Sequence, residues 1–245
     1  PSAGDWGGII ICGQAPLEGE ERKFTPIGNY YYGGNNPNDG SGYLRYLKIE
    51  HAGQAFDDQN EFSALTYYGA GRLTQIDHVW IDNVLHDGIE IKGGNIQLKD
   101  VVVTRSQEDA LKLSTNWGGK AENLFLHNSE NNGIHIQDPI LASSISSSFT
   151  LSNLSIVDAS AAGVEISAQL SLANFDRFLL SDTPIGFAFS TTYTDAFTFQ
   201  WDNIFMQNVP AVSNDTLFND QFNASAVLPF ANANQLPSWL NNWGD

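Results

Sequence analysis

The chain has 245 residues, of which 42% are hydrophobic, 12% aromatic and only 16% charged, and its formal net charge is −17. That balance argues against nucleic acid, whose phosphates need Lys and Arg, and against an anionic membrane surface. It suits solubility in a salty, extracytoplasmic setting, or divalent-cation binding.

In chain order, residues 1–17 open with a strand from Gly8 to Cys12. Cys12 is the single cysteine, so no disulfide can form within the chain, and it reads as a small buried hydrophobe rather than a reactive thiol. A first solenoid coil usually carries a cap. None is visible, and the chain starts at Pro1 without Met or a signal sequence. The expectation is a trimmed product that lacks earlier coils or has that end covered by another molecule.

Residues 18–42 show no period and are predicted to form a long surface loop. Its Tyr30, Tyr31 and Tyr32 are expected to pin the loop to the body of the protein rather than stack on sugars. Regular structure begins at 42–53, with Leu44, Leu47 and Ile49 pointing inward. An acidic bend with Asp57, Asp58 and Glu61 then leads into a strand predicted from Phe62 to Tyr68.

Residues 73–137 repeat one pattern three times. Val79, Val101 and Leu124 share one column; nine residues later come Gly88, Ala110 and Gly133, then Ile89, Leu111 and Ile134. Offsets of 22 and 23 residues are the signature of a solenoid. Within each copy the apolar spacing is two: Val79 and Ile81 alternate with Trp80 and Asp82, as in strands with one buried face. A helix would have to swallow the polar run from Asn83 to Gly88. The Asp-Gly bend suggests a positive φ or a close backbone approach. One such coil cannot bury its own apolar face and must stack on its neighbours. The fold expected is all-β, a right-handed parallel β-helix with 22–23 residues per coil.

Residues 138–148 read as a loop inserted between coils. Residues 149–167 are a fourth copy, with Leu154 and Gly163 again nine apart. Two degenerate copies follow in which Phe replaces Val and Ile, so a wider core is expected there. Residues 215–245 lose the period, and Trp239, Leu240 and Trp243 are expected to cap the last coil. The whole of 1–245 is predicted to be one domain. No apolar stretch is long enough to span a bilayer.

The segments GDWGGIIICGQAP, YYYGGNNPNDGSGYLRYLKIEHAG, NEFSALTYYGAG and HDGIEIKGG resemble the bacterial secreted or surface-anchored right-handed β-helix proteins of the exported lipoprotein type. The resemblance covers roughly residues 4–120 and implies the fold and an extracytoplasmic location. It implies no established activity and no catalytic set. In that family further coils normally precede the WGGIII segment. Likeness to polysaccharide lyases and pectin-type hydrolases is one of architecture, which does not fix function.

Outward positions should stack as the inward ones do. Two residues past each bend residue stand Glu90, Lys112, His135 and Glu165. An acid–base–imidazole–acid ladder could serve a lyase, with Lys112 or His135 taking the proton at the sugar C5 and a carboxylate-held cation fixing the uronate. It could equally be a charge ladder worth a few tenths of a kcal/mol per pair. The bend pairs His86-Asp87 and Glu108-Asp109, with Asn131-Asn132 above them, present adjacent oxygens that resemble a Ca²⁺ site. Asp57, Asp58 and Glu61 are a separate candidate. His51, His78 and His127 lack paired metal spacing and are expected to be structural. Function is therefore expected to be non-catalytic: a secreted or cell-surface β-helix that binds or scaffolds, touching polysaccharide or other copies of itself. The alternatives are a lyase or hydrolase acting on an acidic glycan through the ladder, or a Ca²⁺-stabilised rod.

Overall fold

In a computed structural model the chain winds into a right-handed parallel β-helix. The structure describes residues 1–17, 22–57, 60–114, 117–137, 148–167, 172–190 and 198–214. Among these lie two parallel sheets. One has eight short strands, running from Ile9–Cys12 through Leu65–Tyr68, Ile89–Lys92, Leu111–Ser114, Ile134–Gln137, Val164–Ile166 and Ile185–Phe189 to Ala211–Ser213. The other has seven longer strands: Tyr43–Glu50, Gln75–Val84, Gln97–Ser106, Lys120–Ser129, Ser148–Ala159, Leu172–Ser181 and Thr198–Gln207.

The repeat columns are real neighbours. Leu47, Val79, Val101, Leu124, Leu154, Phe178 and Ile204 pair in parallel register along the long-strand sheet. On the short-strand sheet Leu65, Ile89, Leu111, Ile134, Val164 and Phe187 do the same. These side chains fill one continuous core between the sheets. Each buried Val, Ile or Leu contributes about 1.5–3 kcal/mol, and no coil could collect that alone. Towards the last coils the core turns aromatic: Phe175 packs on Phe178 at 5.5 Å and on Phe187 at 5.9 Å between ring centres. Leu44 and Leu47 are only partly buried against the core, whereas Ile49 is fully enclosed.

The long strands bend twice. One column of corners, His78, Asp100, Asn123, Asn153, Arg177 and Asn203, has φ between 52° and 59°. A second, His51, Asn83, Arg105, Asn128, Asp158, Asp182 and Asn208, has φ between 53° and 60°. The left-handed region costs an L-residue roughly 1–2 kcal/mol, and Asn and Asp tolerate it best. None of these corners is β-branched. Their side chains also bond along the axis: Asn123 Nδ2 donates to Asp100 Oδ1 at 2.7 Å, and Asn208 Nδ2 to Asp182 Oδ1 at 2.8 Å.

Several expectations change in detail. Gly88 and Gly133 keep ordinary φ; the bend needs them for space. A Cβ on Gly88 would lie 2.4 Å from Val103 Cγ1 and 2.6 Å from the Ala110 carbonyl oxygen. The strand foreseen from Phe62 begins at Leu65, because the acidic bend before it closes its own hairpin, Ala55–Asp57 with Asn60–Glu61. Within the 18–42 loop, Lys23–Phe24 pairs antiparallel with Tyr31–Tyr32. Tyr32 pins it, buried 4.7 Å from the Tyr68 ring, while Tyr30 and Tyr31 stay exposed. Cys12 is half-buried in its strand, and burial pushes its thiol up. Of the inserted loop, Ser148 already belongs to the next strand; residues 138–147 and the cap at 215–245 lie outside the described residues. No helix among the described residues is long and apolar enough to cross a membrane.

Candidate functional site

The expected ladder forms on the short-strand sheet. Glu90 pairs with Lys112, Lys112 with His135, and His135 with Glu165, each one coil further along the axis. What the repeat did not reveal is the second layer that holds it. The bend carboxylates of Asp87 and Asp109 are buried, and each reaches one coil forward. Asp87 Oδ1 accepts the backbone N–H of Asp109 at 3.1 Å, and its Oδ2 accepts Lys112 Nζ at 3.1 Å. Asp109 Oδ1 accepts the backbone N–H of Asn132 at 3.0 Å and the side-chain amides of Asn131 at 2.8 Å and Asn132 at 3.0 Å. Its Oδ2 faces His135 Nδ1 at 3.0 Å, and His135 Nε2 meets Ser167 Oγ at 2.8 Å. Glu165 accepts Asn132 Nδ2 at 2.7 Å, and Glu90 pairs with Lys92 at 3.0 Å.

These contacts set the protonation states. Burial works against charge on Asp109, but the bonds from His135 and Asn132 outweigh it and hold the carboxyl below its usual range. Burial likewise opposes the His135 imidazolium, yet the bond to Asp109 and the charges of Asp109 and Glu165 lift its pKa. Lys112 loses solvation, but Asp87 and Glu90 keep its ammonium charged well above the ordinary range. Burial pushes the Asp87 carboxyl up, to about 7, with Asp109, Glu90 and Glu108 adding to the effect and Lys112 opposing it. Lys112 is thus held as a cation beside Asp87, and the contacts of His135 favour its protonated form. A cleft of about 230 Å³ opens beside this layer, lined by Thr66, Glu90, Lys92, Asp87 and Lys112 among others.

The residues expected to hold a cation are distributed differently from the expectation. Asp57 closes its hairpin by accepting Asn60 N–H and Nδ2, each at 2.8 Å. Asp58 lies outside the described residues. Asp87 and Asp109 turn towards the ladder, while Glu61 gathers with His86 and Glu108, their donor atoms within 4.8 Å of one another. Asp77, His78 and Asp100 form another such trio, in which His78 Nδ1 is already bonded to Asp77 Oδ1. His51 faces Asn83 at 2.7 Å, and His127 stacks on Phe125 with ring centres 5.9 Å apart.

A second recess lies on the outer side of the long-strand sheet and was not foreseen. Val102, Phe125 and Val157 bury one another there, apart from the main core, with Trp80 packed against them. The groove beside them holds about 700 Å³ and is rimmed by Asp82, Arg105, Asn128, Asp158 and Asp182. Trp80 Nε1 donates to Thr104 Oγ1 at 3.1 Å, and Lys48 Nζ sits 4.2 Å over the indole. Arg105 grips Asp82 with two bonds, Nε to Oδ1 at 2.8 Å and Nη2 to Oδ2 at 2.5 Å. Burial would raise the Asp82 carboxyl, but Arg105 and Thr104 hold it below its usual range. The signal was present in the sequence: Trp80, Val102 and Phe125 occupy one outward column, where the alternation calls for polar residues.

Searches of curated proteins and of solved structures found no match to the chain. The model of the pectate-lyase-like β-helix domain matches residues 1–244, and with the stacked coils described above it follows that the chain belongs to that family.

Proposed function

We propose that this chain is a non-catalytic, extracytoplasmic β-helix that binds a glycan in the groove of its long-strand sheet. The observation that carries the proposal is the partly exposed Trp80, seated on the buried Val102, Phe125 and Val157 cluster, beside a rim of planar hydrogen-bonding groups on the sheet. Sugars present apolar C–H faces and hydroxyl edges together, and concave sites with a few placed polar groups suit such ligands. The Asp82–Arg105 fork fixes donors and acceptors in one plane. Asp82, Asp158 and Asp182 outnumber Arg105 on the rim, so neutral hydroxyls fit better than uronates. Membership of a pectate-lyase-like family is consistent with a carbohydrate-related role at a surface. Lyase chemistry at the ladder is disfavoured because freeing His135 would strand the buried Asp109 carboxylate, at roughly 3–5 kcal/mol, and because the ammonium of Lys112 is held well above its ordinary range.

The test is calorimetric titration with neutral and uronate oligosaccharides, alongside the ultraviolet assay for unsaturated uronate product. Binding of a neutral oligosaccharide, weakened at least about tenfold by Trp80→Ala (about 1.4 kcal/mol), is the expected result. No binding across the panel, or binding indifferent to Trp80→Ala, would overturn it. Product formation abolished by Lys112→Ala would instead establish the ladder as a lyase site.

A further inference from the structure

We propose that Glu61, His86 and Glu108 form a site for one divalent transition-metal ion of the zinc class, at the edge of the ladder cleft. His86 and Glu108 hold the same bend position one coil apart, and Glu61 arrives from the hairpin Asn60–Glu61. His86 Nδ1 lies 3.4 Å from Glu61 Oε2 and 3.4 Å from Glu108 Oε1. Tetrahedral bonds of about 2.0–2.1 Å to N and O ligands imply donor–donor edges of about 3.3–3.4 Å, so His86 Nδ1 already stands at ligand spacing from each carboxylate, and all three donors lie within 4.8 Å of one another. An independent observation concerns the ring itself. Both nitrogens of His86 are shut off from solvent, and neither has a hydrogen-bond partner among the described residues. Buried polar groups are rarely left so. A metal at Nδ1 supplies a partner for that nitrogen and places the ring proton on Nε2.

The donor chemistry selects the ion. Imidazole with two carboxylates suits zinc and its first-row neighbours. Ca²⁺ takes six to eight oxygens at 2.3–2.6 Å, and an imidazole does not suit it. The Glu61 and Glu108 side chains remain 53% and 39% exposed, so a fourth coordination position is left facing the cleft, where a water or a ligand oxygen can enter. The other donor trio differs, because His78 is already engaged by Asp77. This site is separate from the groove, and its test does not depend on any glycan.

Chelator-treated protein is titrated with Zn²⁺, Mn²⁺ and Ca²⁺ by calorimetry, and its Co²⁺ form is examined by visible absorption. The expected result is one Zn²⁺ per chain, no competition by Ca²⁺, and the intense absorption of low-coordinate Co²⁺. His86→Ala should weaken Zn²⁺ by more than the roughly 10–100-fold that losing an outer-shell partner costs. The double variant Glu61→Gln with Glu108→Gln, at exposed carboxylates, should do likewise and keeps the test sound if His86→Ala folds poorly. Absence of stoichiometric Zn²⁺ binding would overturn the proposal. So would binding unchanged in the double variant, or binding lost instead in Asp77→Asn.

Discussion

Replacing Asp109 with Asn tests whether the buried layer under the ladder is a true ion-pair network. The substitution keeps the shape and removes the charge. Wild-type Asp109 accepts three bonds from Asn131 and Asn132 and faces His135 at 3.0 Å. Charge-assisted bonds contribute about 1.5–3 kcal/mol each, but they do not add, since Asn can still accept from one oxygen. Removing one partner of a buried pair costs roughly 3–5 kcal/mol, and that is the loss expected here. Its pH dependence carries a sign. The Asp109 carboxyl, depressed below its ordinary 3.8, contributes stability above that value and loses it as pH falls through the depressed one. His135, raised above its ordinary 6.5, contributes fully below 6.5 and loses its share as pH rises through the raised value. The penalty of Asp109→Asn should therefore be largest near about pH 5.5 and smaller near about pH 9. Urea-unfolding midpoints at both pH values measure it. A loss under about 1 kcal/mol at the lower pH, or one that does not change with pH, would refute the network.

Gly88→Ala should lower stability by about 1–3 kcal/mol, because its Cβ would meet Val103 and the Ala110 carbonyl; thermal melting checks this. At the left-handed corner Asn128 (φ 57°), Val should cost roughly 1–2 kcal/mol while Gly stays near neutral, again read from melting temperatures of the two variants.

The tube and its ladder were legible because both follow a period. Strand alternation assigns Val79 and Glu90 to opposite faces, and a 22–23-residue offset then stacks every equivalent residue. The partners of the ladder were not legible, since Lys112 reaches 25 residues back to Asp87 rather than to the residue beside it. The bend residues Asp87 and Asp109 accept hydrogen bonds from the next coil, a contact that the spacing of the bends does not announce. The corner columns could have been noticed: Asn123, Asn153 and Asn203 recur in one, and Asn83, Asn128 and Asn208 in the other. Glu61 could not have been joined to His86 and Glu108 from spacing, because its hairpin interrupts the period. Trp80 and Phe125 were hidden differently, since apolar residues on an outward column look like noise until the groove is seen.

The register survives unequal coils. Val79 to Val101 is 22 residues and Leu124 to Leu154 is 30, yet both pairs stack identically. Extra chain is thus absorbed between the winding steps without disturbing the walls. A peptide spliced after Gln137 should therefore leave the pairing of Leu124 with Leu154 intact, which makes this molecule a ready frame for carrying added binding segments between defined coils.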